Sequence, residues 1–170
     1  PQEGHGVLPT SLTIHRGEGV FLMGASGSGK STLARLMCGL IPHLYHGSME
    51  GEVWLMGQRT EQALLWALSE QAGLLFQNPA AQMLTSSVEG EIIFGLENLG
   101  LPKAEISRRM EEALERFGLQ DMRRRSPHTL SGGEQQKLAL ASVLARRPPV
   151  LVLDEPLSML DSTAAHDLVA

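Results

Sequence analysis

The chain has 170 residues, with 14 Lys and Arg against 19 Asp and Glu, a formal net charge of -5 with histidine neutral. That balance excludes a generally basic nucleic-acid binder, and 42% hydrophobic with 19% charged residues excludes a disordered chain. The length suits one domain with its own core and leaves no room for a second full one. Aromatics are only 4%, so that core must be built from Leu, Ile, Val, Met and Ala. The single cysteine, Cys38, cannot close an internal disulfide and lies in an apolar run, which suits a buried thiol in a reducing compartment. No stretch reaches the roughly 18 apolar residues of a membrane span, and Pro1-Gln2-Glu3-Gly4 lacks a charged-then-apolar signal pattern. The chain is therefore expected to be soluble, with a membrane partner left open.

In chain order, Leu12 and Ile14 alternate with polar neighbours, and Gly17 precedes the apolar run Val20-Phe21-Leu22-Met23, a pattern of strand, turn and buried strand. After Lys30, Leu33, Leu36, Met37 and Leu40 recur at helical spacing, with Gly39 and Pro42 as terminators. Residues 52–56 read as a strand, 61–70 as a short helix and 73–77 as another buried strand. Residues 88–99 and 103–117 read as helices, the second with Ile106, Met110, Ala113, Leu114 and Phe117 on one face, Pro102 at its start and Gly118 at its end. The basic cluster Arg123-Arg124-Arg125 reads as a solvated turn. Ser131 stands three residues before Glu134, a capping-box spacing that opens a helix running to about Arg146. Pro148-Pro149 then stops the chain's helix, Val150-Leu151-Val152-Leu153 is a short apolar run fit for a central parallel strand, and a last helix begins near Asp161.

Gly24-Ala25-Ser26-Gly27-Ser28-Gly29-Lys30-Ser31 fits G-x-x-x-x-G-K-[ST] at every fixed position, between a predicted strand and a predicted helix. This is the pattern of a phosphate-binding loop. Glycines let the backbone curl so that N–H groups point at phosphate oxygens, the helix N-terminus adds positive potential, Lys30 reaches the β and γ phosphates, and the Ser31 hydroxyl can ligate Mg²⁺. The candidate cradle is thus Gly24, Ser26, Gly27, Ser28, Gly29, Lys30, Ser31 and Thr32. Leu151-Val152-Leu153-Asp154-Glu155-Pro156 is an apolar strand ending in two carboxylates. Alone such a pair marks a turn. Beside a phosphate loop, Asp154 suits holding Mg²⁺ and Glu155 suits polarising an attacking water.

Leu130-Ser131-Gly132-Gly133-Glu134-Gln135-Gln136 is a further helix N-terminus, with two glycines and a serine hydroxyl that a capping box alone leaves unexplained. It resembles the signature motif of ABC-type ATPases. The resemblance implies an α/β P-loop NTPase fold with a mainly parallel sheet and an inserted helical subdomain. It also implies that Ser131, Gly132 and Gly133 close over ATP held by a second subunit. Gln77 resembles the family's Q-loop glutamine, expected to meet both Mg²⁺ and the attacking water. Ser158-Met159-Leu160-Asp161 resembles the D-loop at the dimer interface. On this reading residues 1–77 and 143–170 form the nucleotide-binding core and residues 78–142 the helical subdomain, together one incomplete ABC ATPase domain.

Within the family, Phe76-Gln77-Asn78-Pro79-Ala80-Ala81-Gln82-Met83-Leu84 and the stretch from Val88 to Leu99 resemble the ATPase subunits of energy-coupling factor importers for vitamins and transition-metal ions. That implies a peripheral position on the cytoplasmic face of the cell membrane, ATP and Mg²⁺ as ligands, a second ATPase subunit or domain, and a transmembrane coupling subunit that Gln82 and Met83 would contact. No nucleic-acid partner is expected. Two features of the family pattern are missing: no aromatic residue precedes Phe21 to stack on adenine, and no histidine follows a strand beyond the D-loop, since His166 lies directly after Asp161. The chain therefore reads as truncated at both ends and as inactive or weakly active by itself. His43, His46 and His128 lack ligand spacing and read as loop residues. The alternative within the family is a soluble ATPase acting on DNA or ribosomes, which the negative charge disfavours. A small-molecule kinase would have no use for residues 130–136.

Overall fold

The computed structural model describes residues 6–155. The chain divides into two compact units, one ending at Leu68 and the other beginning at Ser69. The last predicted helix and Asp161 lie outside the described residues.

In the first unit, helix α1 (Lys30–Met37) leaves a left-handed Gly29, φ 93°, and α2 (Leu40–His43) is a single turn interrupted by an extended Ile41. Gly39 between them sits at φ 72°, where a Cβ would lie 2.3 Å from Leu68 Cδ1. A side chain is excluded there twice over, by conformation and by space. Strands β1 (Trp54–Leu55) and β2 (Gln58–Arg59) form an antiparallel hairpin. Its two turn residues, Met56 and Gly57, both have positive φ, 48° and 82°, the conformation that matches the strand twist. Helix α3 (Leu65–Gln71) starts later than residue 61, because the N–H groups of Gln62 and Ala63 first bond the Arg59 carbonyl in a turn. Cys38 is buried as expected, and burial pushes its thiol up to about 12. His43 is tied to the Thr60 carbonyl at 2.7 Å.

The expected strands at Leu12–Ile14 and Val20–Met23 are not formed. These residues make no ladder hydrogen bonds among the described residues, and Phe21 and Met23 are 89% and 92% exposed. An apolar run shows only that a segment could be a central strand. The strand itself consists of hydrogen bonds to neighbours distant in sequence, and without them the run has neither a ladder nor a covered face.

The second unit is built on strands β3 (Ala72–Leu75) and β4 (Val150–Leu153), paired in parallel with Ala72, Gly73, Leu74 and Leu75 opposite Val150, Leu151, Val152 and Leu153. Parallel pairing demands a long crossover. It is supplied by α4 (Val88–Glu97), α5 (Lys103–Phe117) and α6 (Gly132–Ala145). Helix α5 has the expected limits, with Pro102 before it and a left-handed Gly118, φ 65°, after it. Its apolar face buries Met110, Ala113 and Leu114 and packs Ile106 and Phe117 against the same core. Helix α6 packs against α4, α5 and β3, so its middle, Leu138 to Ala141, is buried all round. Removing each such leucine from water contributes about 1.5–3 kcal/mol.

Arg123 is not a freely solvated turn residue. Its guanidinium pairs with Glu89 of α4 at 2.9 Å and Glu111 of α5 at 3.1 Å. The backbone N–H groups of Val88 and Glu89 donate to the carbonyls of Arg125 and Arg123, at 3.0 and 2.9 Å. The basic loop therefore satisfies N–H groups that the first turn of α4 leaves without helical partners.

At the start of α6 the Ser131 N–H and Oγ both donate to the Glu134 carboxylate, at 2.7 and 2.8 Å, and the Glu134 N–H reaches Ser131 Oγ at 3.4 Å. The capping box is thus formed. The Ser131 backbone bond, then its hydroxyl, holds the Glu134 carboxyl below its usual 4.5.

Two outcomes are expected. A Cβ on Gly73 would lie 2.7 Å from Val143 Cγ1 and 2.8 Å from Pro148 Cγ, a stiff side chain and a ring. Gly73→Ala should therefore lower unfolding free energy by about 1–3 kcal/mol in denaturant titrations. A depressed folded value means that Glu134 stabilises above the unfolded value and loses that contribution as pH falls through the folded one. Glu134→Gln should unfold at lower temperature than the parent at neutral pH, and thermal melts should show the gap closing below the ordinary glutamate range of about 4.

Candidate nucleotide site

The loop of residues 24–31 enters α1 with Gly27 and Gly29 in left-handed conformations, φ 78° and 93°, which side chains resist. The curl is closed by the Ser28 N–H donating to the Ala25 carbonyl at 3.2 Å. Lys30 Nζ turns back into the loop and donates to the carbonyls of Gly24 and Ala25, both at 2.9 Å. A Cβ on Gly24 would meet Ser28 Oγ at 2.8 Å, so the first glycine lets the loop close on itself. No side chain caps α1. The N-terminal N–H groups of Lys30, Ser31 and Thr32 therefore lack helical acceptors and can serve an anion. Ser26 lies exposed on the loop, and Ser31 and Thr32 are half-buried on the first turn.

In the second unit, β3 and β4 position Gln77, Asp154 and Glu155. Pairing continues past β4 through the Asp154 N–H, which donates to the Leu75 carbonyl at 2.9 Å. Asp154 is half-buried and Glu155 exposed, with Glu155 at φ 53°, a left-handed position unusual outside glycine. The Gln77 amide donates to the Glu155 carboxylate, Nε2 to Oε2 2.8 Å. Residues remote in sequence are thus in direct contact at one end of the strand pair.

Ser131 is the exposed N-cap of α6, and Gly132 and Gly133 are its first two residues. Gln135 Nε2 donates to the Pro127 carbonyl at 3.1 Å, bracing that helix start against the preceding turn. Among the described residues no three His, Cys, Asp or Glu side chains are placed as a metal cluster. Of the candidate donors, Ser31 lies in the first unit and Gln77 and Asp154 in the second; a hydroxyl, an amide and a carboxylate are each oxygen donors of the kind that hard Mg²⁺ takes.

The segment after Gln77 differs from expectation. Met83 is packed in the core, and Gln82 turns back to donate to the Leu74 carbonyl at 3.2 Å, while Leu84 is 72% exposed. The large apolar side chain turned outward in this stretch is therefore Leu84. Sequence reasoning also missed Glu91, a buried carboxylate one turn into α4 that accepts from the N–H groups of Leu84 and Thr85 at 3.0 and 2.9 Å. No spacing rule marks it, since it lies four residues after Ser87 rather than three.

Residues 7–158 match the ABC transporter family. The chain is 44% identical over 178 residues to the energy-coupling factor transporter ATP-binding protein EcfA1 of Symbiobacterium thermophilum, covering 99% of this chain and 60% of that protein. It is 40% identical over 168 residues to EcfA1 of Streptococcus pneumoniae serotype 2, with 99% and 59% covered. The chain thus spans about 60% of the length of these curated relatives. Among solved structures it resembles cbiO1 from Clostridium perfringens, part of the ABC transporter complex cbiONQ, with TM-score 0.70 and 32% identity over 86% of this chain and 57% of that one. It also resembles the dimeric post-hydrolysis state of the ATP-binding cassette MJ0796 bound to ADP and Pi, with TM-score 0.77 and 30% identity over 92% of this chain and 68% of that one. With the phosphate loop, the strand-end carboxylates and the signature helix in family order, this chain belongs to the ABC transporter family and has its P-loop NTPase fold.

Proposed function

We propose that the chain is the ATP-hydrolysing part of a motor subunit, peripheral on the cytoplasmic face of a membrane, that powers import of a vitamin or transition-metal ion through a transmembrane partner. The observation that carries this reading is the 2.8 Å contact between Gln77 and Glu155 at the end of the paired strands. It joins the residue at the entrance to the helical segment to the carboxylate suited to activating water. The relatives' names, which are those of transporter ATP-binding proteins, support the transport role over action on DNA or ribosomes.

In this mechanism the loop N–H groups and Lys30 hold the triphosphate, with Lys30 countering charge on the β and γ phosphates. Ser31, Gln77 and Asp154 would hold Mg²⁺, which when bound neutralises phosphate charge. Glu155 accepts a proton from water as the water oxygen bonds the γ-phosphorus and the bond from that phosphorus to the ADP oxygen breaks. Gln77 orients that water and, being bonded to Glu155, reports the state of the site to the segment that follows it. Ser131, Gly132 and Gly133 present a helix N-terminus to the γ-phosphate held by a second ATPase subunit, and Asp161 is assigned to the same dimer interface.

The test uses the full-length protein together with the membrane subunit that co-purifies with it. A charged hydrogen bond is worth about 1.5–3 kcal/mol, so Lys30→Ala should weaken ATP binding by about 10- to 150-fold in calorimetry. Glu155→Gln should keep ATP binding and lower phosphate release at least about 100-fold. Unchanged affinity in the first variant, or unchanged turnover in the second, would overturn these roles.

A further inference from the structure

We infer that Glu91 is a positioning residue whose buried carboxylate sets the backbone of residues 82–85 and thereby governs how ATP turnover responds to the membrane subunit. The inference rests on the transporter reading and adds a residue to it. Glu91 is 7% exposed. One of its oxygens, Oε2, accepts from the Leu84 N–H at 3.0 Å, the Thr85 N–H at 2.9 Å and the Thr85 hydroxyl at 2.9 Å. No cation pairs with it among the described residues. A buried carboxylate without a cation is costly, and its partners here are donors from one short stretch of chain. Two successive backbone N–H groups converge on one oxygen only when that stretch holds a single conformation.

That conformation has a definite result. Gln82 is fastened to the Leu74 carbonyl of β3, Met83 is sunk in the core, and Leu84 is turned out to 72% exposure. The stretch begins a few residues after Gln77, which contacts Glu155, and ends against α4. The first turn of α4 is in turn bonded to the carbonyls of Arg123 and Arg125, and Arg125 donates to the Thr129 carbonyl immediately before the signature residues. Glu91 therefore stands on a helix that is hydrogen-bonded both to the stretch behind Gln77 and to the loop in front of Ser131. A carboxylate at this point fixes how Leu84 is offered to a partner without itself touching nucleotide.

The experiment compares the parent, Glu91→Gln, Glu91→Ala and Thr85→Val in the full-length protein, alone and assembled with its membrane subunit. Amide hydrogen exchange should rise at Leu84 and Thr85 by about tenfold or more in Glu91→Ala, less in Glu91→Gln, and stay unchanged in the buried middle of α6. ATP affinity and turnover without the membrane subunit should match the parent. The stimulation by the membrane subunit should fall by about two- to thirtyfold, with Glu91→Gln between the parent and Glu91→Ala. Unchanged exchange at Leu84 and Thr85, or faster exchange with full stimulation, overturns the role of Glu91 alone. A parent protein indifferent to the membrane subunit overturns the transporter reading and this inference with it. Should Glu91→Ala fail to fold, Thr85→Val removes one donor only, and full stimulation with parental exchange in that variant overturns the inference.

Discussion

Four residues of parallel pairing between β3 and β4 set the geometry on which the second unit depends. The pairing joins stretches separated by the whole helical segment, and its register decides which residues emerge at the same end. Leu75 lies opposite Leu153, so Gln77 and Glu155 each follow two residues later and meet. A slip of one residue would turn the side chains of one strand to the opposite face and separate the pair. The register is held by ladder hydrogen bonds and by the bond from the Asp154 N–H to the Leu75 carbonyl. It is held also by the close fit of Gly73 under Val143 and Pro148.

Helix α6 links that strand pair to the Ser131 cap at its other end. Its middle supplies much of the core, while its first turn carries two glycines, each about 1 kcal/mol less favourable in a helix than alanine. The formed capping box and the buried leucines offset that cost. The helix can thus keep two glycines at an exposed N-terminus because its stability is supplied elsewhere along its length.

The segment between Gln77 and α4 shows how polar groups order a short irregular stretch. Asn78 accepts from the Ala80 N–H, Gln82 bonds β3, Glu91 gathers the N–H groups of Leu84 and Thr85, and Ser87 caps α4 through the Gly90 N–H. The bonds to Ala80, Leu84, Thr85 and Gly90 each satisfy a backbone N–H that would otherwise be left to water. Together they choose which apolar side chain is buried and which is offered outward, Met83 and Leu84 respectively.

The local features were legible in the sequence. The phosphate loop, the limits of α5, the capping box at Ser131 and the strand Val150–Leu153 follow from spacing, caps and breakers, all of which act over a few residues. Only the tertiary structure decided the rest. An apolar run at Val20–Met23 reads as a strand, but a strand is made by partners far along the chain, and no local pattern contains them. Gln77 and Glu155 are separately recognisable by residue type, yet their contact depends on a register set between distant segments. Periodicity cannot tell Met83 from Leu84 in a stretch without regular structure, and Glu91 carries little signal because two of its three donors are backbone N–H groups, which every residue but proline possesses.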